Sequence, residues 1–149
     1  MQFNISSYMD GLQRSLGRLL PQGRIAFAVW CADALFREVC DYLAAKTDAT
    51  QRLAVQEALD YLWRCASGDK PVDAEVRRLE EICAAIDWGE ENVADNEQVV
   101  NRYAIEALSS LCCALDTCRT GSALSAAKAA ENVLNKLDFQ LSDELFVDN

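Results

Sequence analysis

Seven carboxylates stand between Leu79 and Asn101 without one Lys or Arg among them: Glu80, Glu81, Asp87, Glu90, Glu91, Asp95 and Glu97. Trp88 sits in their middle. Acids at this density repel one another unless helix N-termini or a partner offsets them. Most of the formal net charge of −10 gathers in this segment, so the chemistry it suits is capture of a cationic partner. Asp95 and Glu97 have a local use at the start of the helix that follows, whereas Glu90 and Glu91 have none. Trp88, if exposed among the acids, is the residue type most enriched at interface hot spots; the competing placement is in the core beside Ile86. The candidate partner-binding set is Asp87, Trp88, Glu90, Glu91, Asp95 and Glu97, and the plain alternative is a solvated loop.

Other constellations carry less. Asp33, Glu38 and Asp41 suggest a carboxylate metal site of the bundle type, but such sites use Glu-x-x-His pairs on facing helices and the chain has no histidine. A solvated face is the better reading. The run from Asp87 to Gln98 fails as a calcium loop, with Asn92 at the sixth position in place of Gly and Gln98 at the twelfth in place of Glu. No metal and no cofactor is expected. Arg14 and Arg18, at i and i+4, together with Arg24 form a small basic region that suits an anion, or pairing with acids elsewhere in the fold. Histidine-dependent nucleophilic catalysis is excluded by composition. An enzyme built on Cys and Lys, or on paired carboxylates, is the weakest of the functional readings, since no such constellation is recognisable.

The cysteines Cys31, Cys40, Cys65, Cys83, Cys112, Cys113 and Cys118 are odd in number and contain no C-x-x-C. Lying mostly among apolar residues at helical spacing, they read as small buried hydrophobes in the reduced state, with a redox role for Cys112 and Cys113 as the alternative. Neighbouring cysteines on a helix point about 100° apart, so no disulfide is expected between those two. A pI near 4.4 argues against nucleic acid and anionic membrane as partners. The longest uncharged apolar run, Ile25 to Ala32, falls far below the roughly 18–20 residues that span a bilayer. The first residues lack the basic and apolar regions of a secretory signal, and the expected compartment is the cytoplasm.

These residues must be positioned by helices, because every apolar stripe has period 3.6 and none has period 2. Ser6 or Ser7 caps a first helix with Met9, Leu12, Leu16 and Leu19 or Leu20 inward. Pro21 opens a second that reaches about Lys46. Its stripe is Ile25, Ala28, Val29, Ala32, Leu35, Phe36, Val39 and Leu43, and Phe27, Trp30 and Cys31 make the opposite face apolar too. That marks its first half as the surrounded helix of a bundle. Asp48 with Gln51 forms a carboxylate capping box for a third helix, with Val55, Leu59, Leu62, Trp63 and Ala66 inward. Ser67-Gly68-Asp69-Lys70-Pro71 ends it. Asp73 caps a fourth with Val76, Leu79, Cys83 and Ile86 inward. Asp95 with Gln98 starts a fifth carrying Val100, Ala104, Ala107, Leu108, Leu111 and Leu115 to a stop at Gly121. Ser122 caps a sixth with Ala127, Ala130, Leu134 and Leu137 inward, and Ser142 to Phe146 adds a last turn. The expected fold is an all-α single-domain bundle of about six helices over residues 1–149.

Leu20-Pro21-Gln22-Gly23-Arg24-Ile25-Ala26-Phe27-Ala28-Val29-Trp30-Cys31-Ala32, with Asp41-Tyr42-Leu43, resembles the early helices of the YjaG-like family, small all-helical bacterial proteins of unknown function. Ala58-Leu59-Asp60-Tyr61-Leu62-Trp63, Tyr103-Ala104-Ile105-Glu106-Ala107-Leu108 and the small residues from Ala126 to Ala130 continue the likeness. Asp33-Ala34 departs from it, standing where an acidic–basic pair is expected. The resemblance implies a helical fold and no activity.

Two functional classes follow. The first is stoichiometric binding of a basic protein, as by an immunity protein or antitoxin that neutralises a cationic toxin enzyme, the acids steering association and taking the place of a phosphate backbone. The second is a housekeeping scaffold of the YjaG-like kind, a homodimer through an apolar helix face.

Overall fold

A computed structural model describes residues 4–89 and 93–147, with side chains through residue 142. Among the described residues the chain forms α1 (Ile5–Gly17), α2 (Pro21–Lys46), α3 (Ala49–Ala66), α4 (Asp73–Ala84), a 3-10 turn (Asp95–Glu97), α5 (Gln98–Thr120) and α6 (Ala123–Val147), with no strand. The all-α expectation holds, and no described helix is long and apolar enough to cross a membrane.

α2 and α5 form the centre. They run antiparallel: Arg24 meets Gly121 at one end, and Tyr42 meets Asn101 at the other. α3 and α6 cover α2, while α4 and α6 cover α5. The expected α2 stripe from Ile25 to Leu43 is buried throughout. Leu62, Leu79, Leu111 and Leu115 are fully enclosed; truncating any one of them to Ala is expected to cost about 2–5 kcal/mol. Ala126, Ala127, Ala129 and Ala130 let α6 approach α5 closely enough for the Ser110 hydroxyl to donate to the Ala129 carbonyl at 3.0 Å. The α6 helix runs through Ser142–Phe146 without a break, so those residues extend it and form no separate turn.

Helix ends differ from expectation in instructive ways. The α1 cap is Asn4, whose Oδ1 accepts the Ser7 N–H at 3.1 Å, so Ser6 and Ser7 lie inside the helix. Asp48 caps α3 as expected, accepting the Gln51 N–H at 2.9 Å. Val72 takes the capping position of α4 without a side-chain bond, and Asp73 enters the first turn, pairing with Arg77 at 2.6 Å. There its charge still favours the helix N-terminus. Gly121 ends α5 at φ +72°, a left-handed conformation that glycine adopts without a Cβ penalty. Ser122 then caps α6 by accepting the Ser125 N–H at 3.2 Å.

Three apolar placements are corrected. Leu19 and Leu20 are exposed, because α1 stops at Gly17 and they belong to the turn before Pro21. Leu137 is exposed on α6. Trp30 is 62% exposed, so α2 is not enclosed on every side.

All seven thiols are free. Cys31, Cys65, Cys83 and Cys118 are buried, Cys112 and Cys113 are half-buried, and Cys40 is exposed. Burial pushes the Cys31 thiol up to about 11 and the Cys83 thiol up to about 12.

Among the described residues Arg24 pairs with no acid. Its guanidinium donates to the carbonyls of Leu16 at 2.9 Å, Gly17 at 3.1 Å and Gly121 at 2.7 Å. It thereby ties carbonyls at the C-terminus of α1 to the carbonyl at the α5–α6 corner.

Candidate functional site

The chain after α4 turns sharply at Asp87, whose Oδ1 accepts the Gly89 N–H at 2.9 Å. A Cβ at residue 89 would stand 3.0 Å from that same oxygen, which is why glycine suits this turn. The turn drives Trp88 inward. Its indole is 8% exposed and meets Phe36 edge-on, centroids 6.4 Å apart and planes at 80°. Such a contact contributes about 0.5–1.5 kcal/mol beyond area burial.

Burying an indole N–H requires an acceptor. Gln51 supplies it, its Oε1 receiving Trp88 Nε1–H at 3.0 Å. The Gln51 side chain is thus drawn from its expected reach back toward the Asp48 cap. On the backbone side, Asn101 is 2% exposed; its Nδ2 donates to the Trp88 carbonyl at 2.9 Å, and its Oδ1 accepts the Tyr42 hydroxyl at 2.9 Å. Burial holds Tyr42 above the usual phenol range, Glu97 adding to the effect and Lys46 opposing it, so the hydroxyl remains a donor at neutral pH. Trp88 is therefore a core residue tied to α3 and α5. The placement beside the core holds and the exposed hot spot does not.

Trp88 divides two clefts. One, of about 320 Å³, is polar and includes Asp48, Asp87 and Glu97 with Lys46. Lys46 pairs with Glu97 at 3.0 Å. The other, of about 270 Å³, lies between α2 and α3, where Phe36, Leu43, Val55 and Leu59 join Trp88 in an apolar floor. Its rim carries Arg37, Arg52, Cys40 and Asp33. Arg52 is fixed by Nη1, which donates to the carbonyls of Leu43 and Ala44, each at 3.3 Å, and of Thr47. Those of Ala44 and Thr47 lie beyond the last helical bonds of α2, while the Leu43 carbonyl also accepts the Thr47 N–H at 3.0 Å and the Thr47 hydroxyl at 2.6 Å.

Of the candidate partner-binding residues, Asp87, Trp88 and Glu97 come together around the polar cleft. Asp95 stands on the 3-10 turn, outside the lining, accepting a bond from the Gln98 side chain at 3.3 Å. Glu90 and Glu91 lie outside the described residues. The linear run of acids is partly neutralised in space: besides Lys46 on Glu97, Arg119 of α5 pairs with Glu80 at 2.7 Å. Sequence reading missed Tyr42, Gln51 and Asn101, although the Asp48–Gln51 box was a signal that Gln51 sits at this end of α3.

The Asp33, Glu38 and Asp41 face does not converge on a metal site. Asp33 pairs with Arg37 at 3.2 Å, and Glu38 pairs with Lys136 of α6. Lys136 is buried and lies over the Tyr103 ring, 5.5 Å from its centroid. Among the described residues no group of three or more Cys, Asp and Glu side chains could hold a metal ion. No protein-family model, curated protein or solved structure matches this chain.

Proposed function

We propose that this chain acts by stoichiometric binding of a basic protein, without catalysis of its own, and that a cationic side chain of the partner enters the polar cleft beside Trp88. The observation that carries the reading is the charge balance there: among the described residues, Asp48, Asp87 and Glu97 stand against Lys46 alone. Among the described residues no Lys or Arg pairs with Asp48, Asp87 or Asp95. An immunity protein or antitoxin directed at a cationic toxin enzyme fits this surface. Trp88 supports the site from below by fixing the turn that carries Asp87, and does not touch the partner.

The test is association kinetics with a basic protein captured on the tagged chain. On-rates should fall steeply as salt rises, the Debye length shrinking from about 10 Å at 0.1 M to 3 Å at 1 M. Asp87→Lys combined with Asp95→Lys should slow association by about an order of magnitude. Unchanged kinetics in that double variant would place the interface elsewhere.

Trp30 favours a second reading, a scaffold of the YjaG-like kind that pairs with itself. A tryptophan 62% exposed on the central helix is the residue type that anchors interfaces. Sedimentation equilibrium of the wild type against Trp30→Ser tests it: a dimer dissolved by the substitution supports the scaffold, and a monomer in both removes it.

A further inference from the structure

We propose that the apolar cleft between α2 and α3 binds a medium-chain monocarboxylate, its hydrocarbon tail on Trp88 and its carboxylate on the Arg52 guanidinium at the rim. The cavity is the first argument. A space of about 150 Å³ holds benzene, so one of about 270 Å³ suits an unbranched chain of roughly eight carbons. Its floor is Phe36, Leu43, Val55, Leu59 and the face of Trp88, all buried and all apolar. Such a lining with a few polar groups at one end is the usual build of a small-molecule site.

Charge at the rim is the second argument, and it runs against the rest of the molecule. In a chain of net charge −10, this mouth carries, among the described residues, Arg37 and Arg52 against Asp33 alone. Arg37 is already paired with Asp33. Arg52 is the group left over. Its Nη1 is held by the α2 carbonyls, and among the described residues its Nε and Nη2 have no partner. That guanidinium is immobilised before any ligand arrives, with donors remaining for one carboxylate, and charge-assisted bonds of this kind are the strong ones. The acidic cleft shares Trp88 with this one, which disfavours placing the anionic end of the ligand against the indole.

Octanoate is the probe, titrated into the full chain by calorimetry, with 1-octanol as its uncharged counterpart. Octanoate should saturate one site, with a dissociation constant of roughly tens to hundreds of micromolar for a ligand of this size. 1-Octanol should bind about tenfold or more weakly. Because Cys40 is the exposed thiol at the rim, saturating octanoate should slow its alkylation by iodoacetamide at least about fivefold, located by peptide mass spectrometry. Arg52→Met should weaken octanoate about tenfold and leave 1-octanol unchanged. Since Arg52 also ties down the end of α2, the wild-type comparison and the Cys40 protection decide the matter if that variant does not fold. Absence of saturation at millimolar octanoate, equal affinity for acid and alcohol, or binding that leaves Cys40 alkylation unchanged each overturns the proposal.

Discussion

The two clefts on either side of Trp88 share an indole and the last turns of α2, yet they have opposite chemistry. One gathers Asp48, Asp87 and Glu97 around Lys46; the other has an apolar floor and two arginines at its mouth. The difference arises at the C-terminus of α2. Its carbonyl end favours cations: Arg52 bonds those carbonyls directly, while Lys46, in the last turn, pairs with Glu97. Overall charge is therefore a poor guide to local charge. A chain of net charge −10 builds a cationic rim within one helix turn of its acidic surface.

Removing the shared wall should have the largest effect. Trp88→Ala is expected to lower the unfolding free energy by about 3–5 kcal/mol, because it leaves a large void and deprives Gln51 of its donor. Urea unfolding measures it, and a loss under about 1 kcal/mol would mean that the indole does not separate the clefts. Alkali should have an effect of comparable size across two pH units, because it tests how well the core is sealed. Cys31 and Cys83 ionise near 11 and 12 when folded against a reference of 9.0. Their folded values are raised, so their stability is fully present below pH 9. Between pH 9 and 11 the unfolded chain loses protons that the native chain keeps, and stability falls by up to about 1.4 kcal/mol per pH unit for each thiol. Stability that stays level from pH 9 to 11, in chemical denaturation at fixed salt, would show those thiols reached by water.

Asn101→Ala addresses the polar side alone. Leaving the Trp88 carbonyl and the Tyr42 hydroxyl without their partner should cost about 1–3 kcal/mol, while the apolar cleft keeps its floor. Equal losses for Asn101→Ala and Trp88→Ala would mean that the two clefts are one energetic unit. The smallest effect belongs to the acid outside the Asp87 turn: Asp95→Lys should change stability by no more than about 0.5 kcal/mol, its side chain being exposed. A larger loss would give that carboxylate a structural role that its bond from Gln98 does not suggest.

Local pattern carried the helices well where one feature fixed one outcome. Pro21 set the start of α2, the apolar stripe set its buried face, and Gly121 set the end of α5. It failed where capping residues crowd together, as with Asn4 beside Ser6 and Ser7, since only backbone geometry decides which of several short polar residues caps. The candidate site was legible as a set of acids and not as a shape. Ile86 and Trp88 flank a carboxylate, and nothing within that stretch says which side faces the core. The deciding group is Gln51, 37 residues away in the chain. Lys136 gave no signal either, because its burial depends on Glu38 and Tyr103 from two other helices. Charge pairs such as Glu80 with Arg119 likewise cross between elements, so a run of acids in the chain overstated the repulsion in space.

Arg24 joins places that are far apart along the chain, holding the end of α1 and the α5–α6 corner with one planar group. Neither carbonyl end can open without releasing the same guanidinium. In amide hydrogen exchange the last turn of α1 and the corner at Gly121 should accordingly open as one cooperative unit, and the N-terminal helix inherits the protection of the helix pair at the centre.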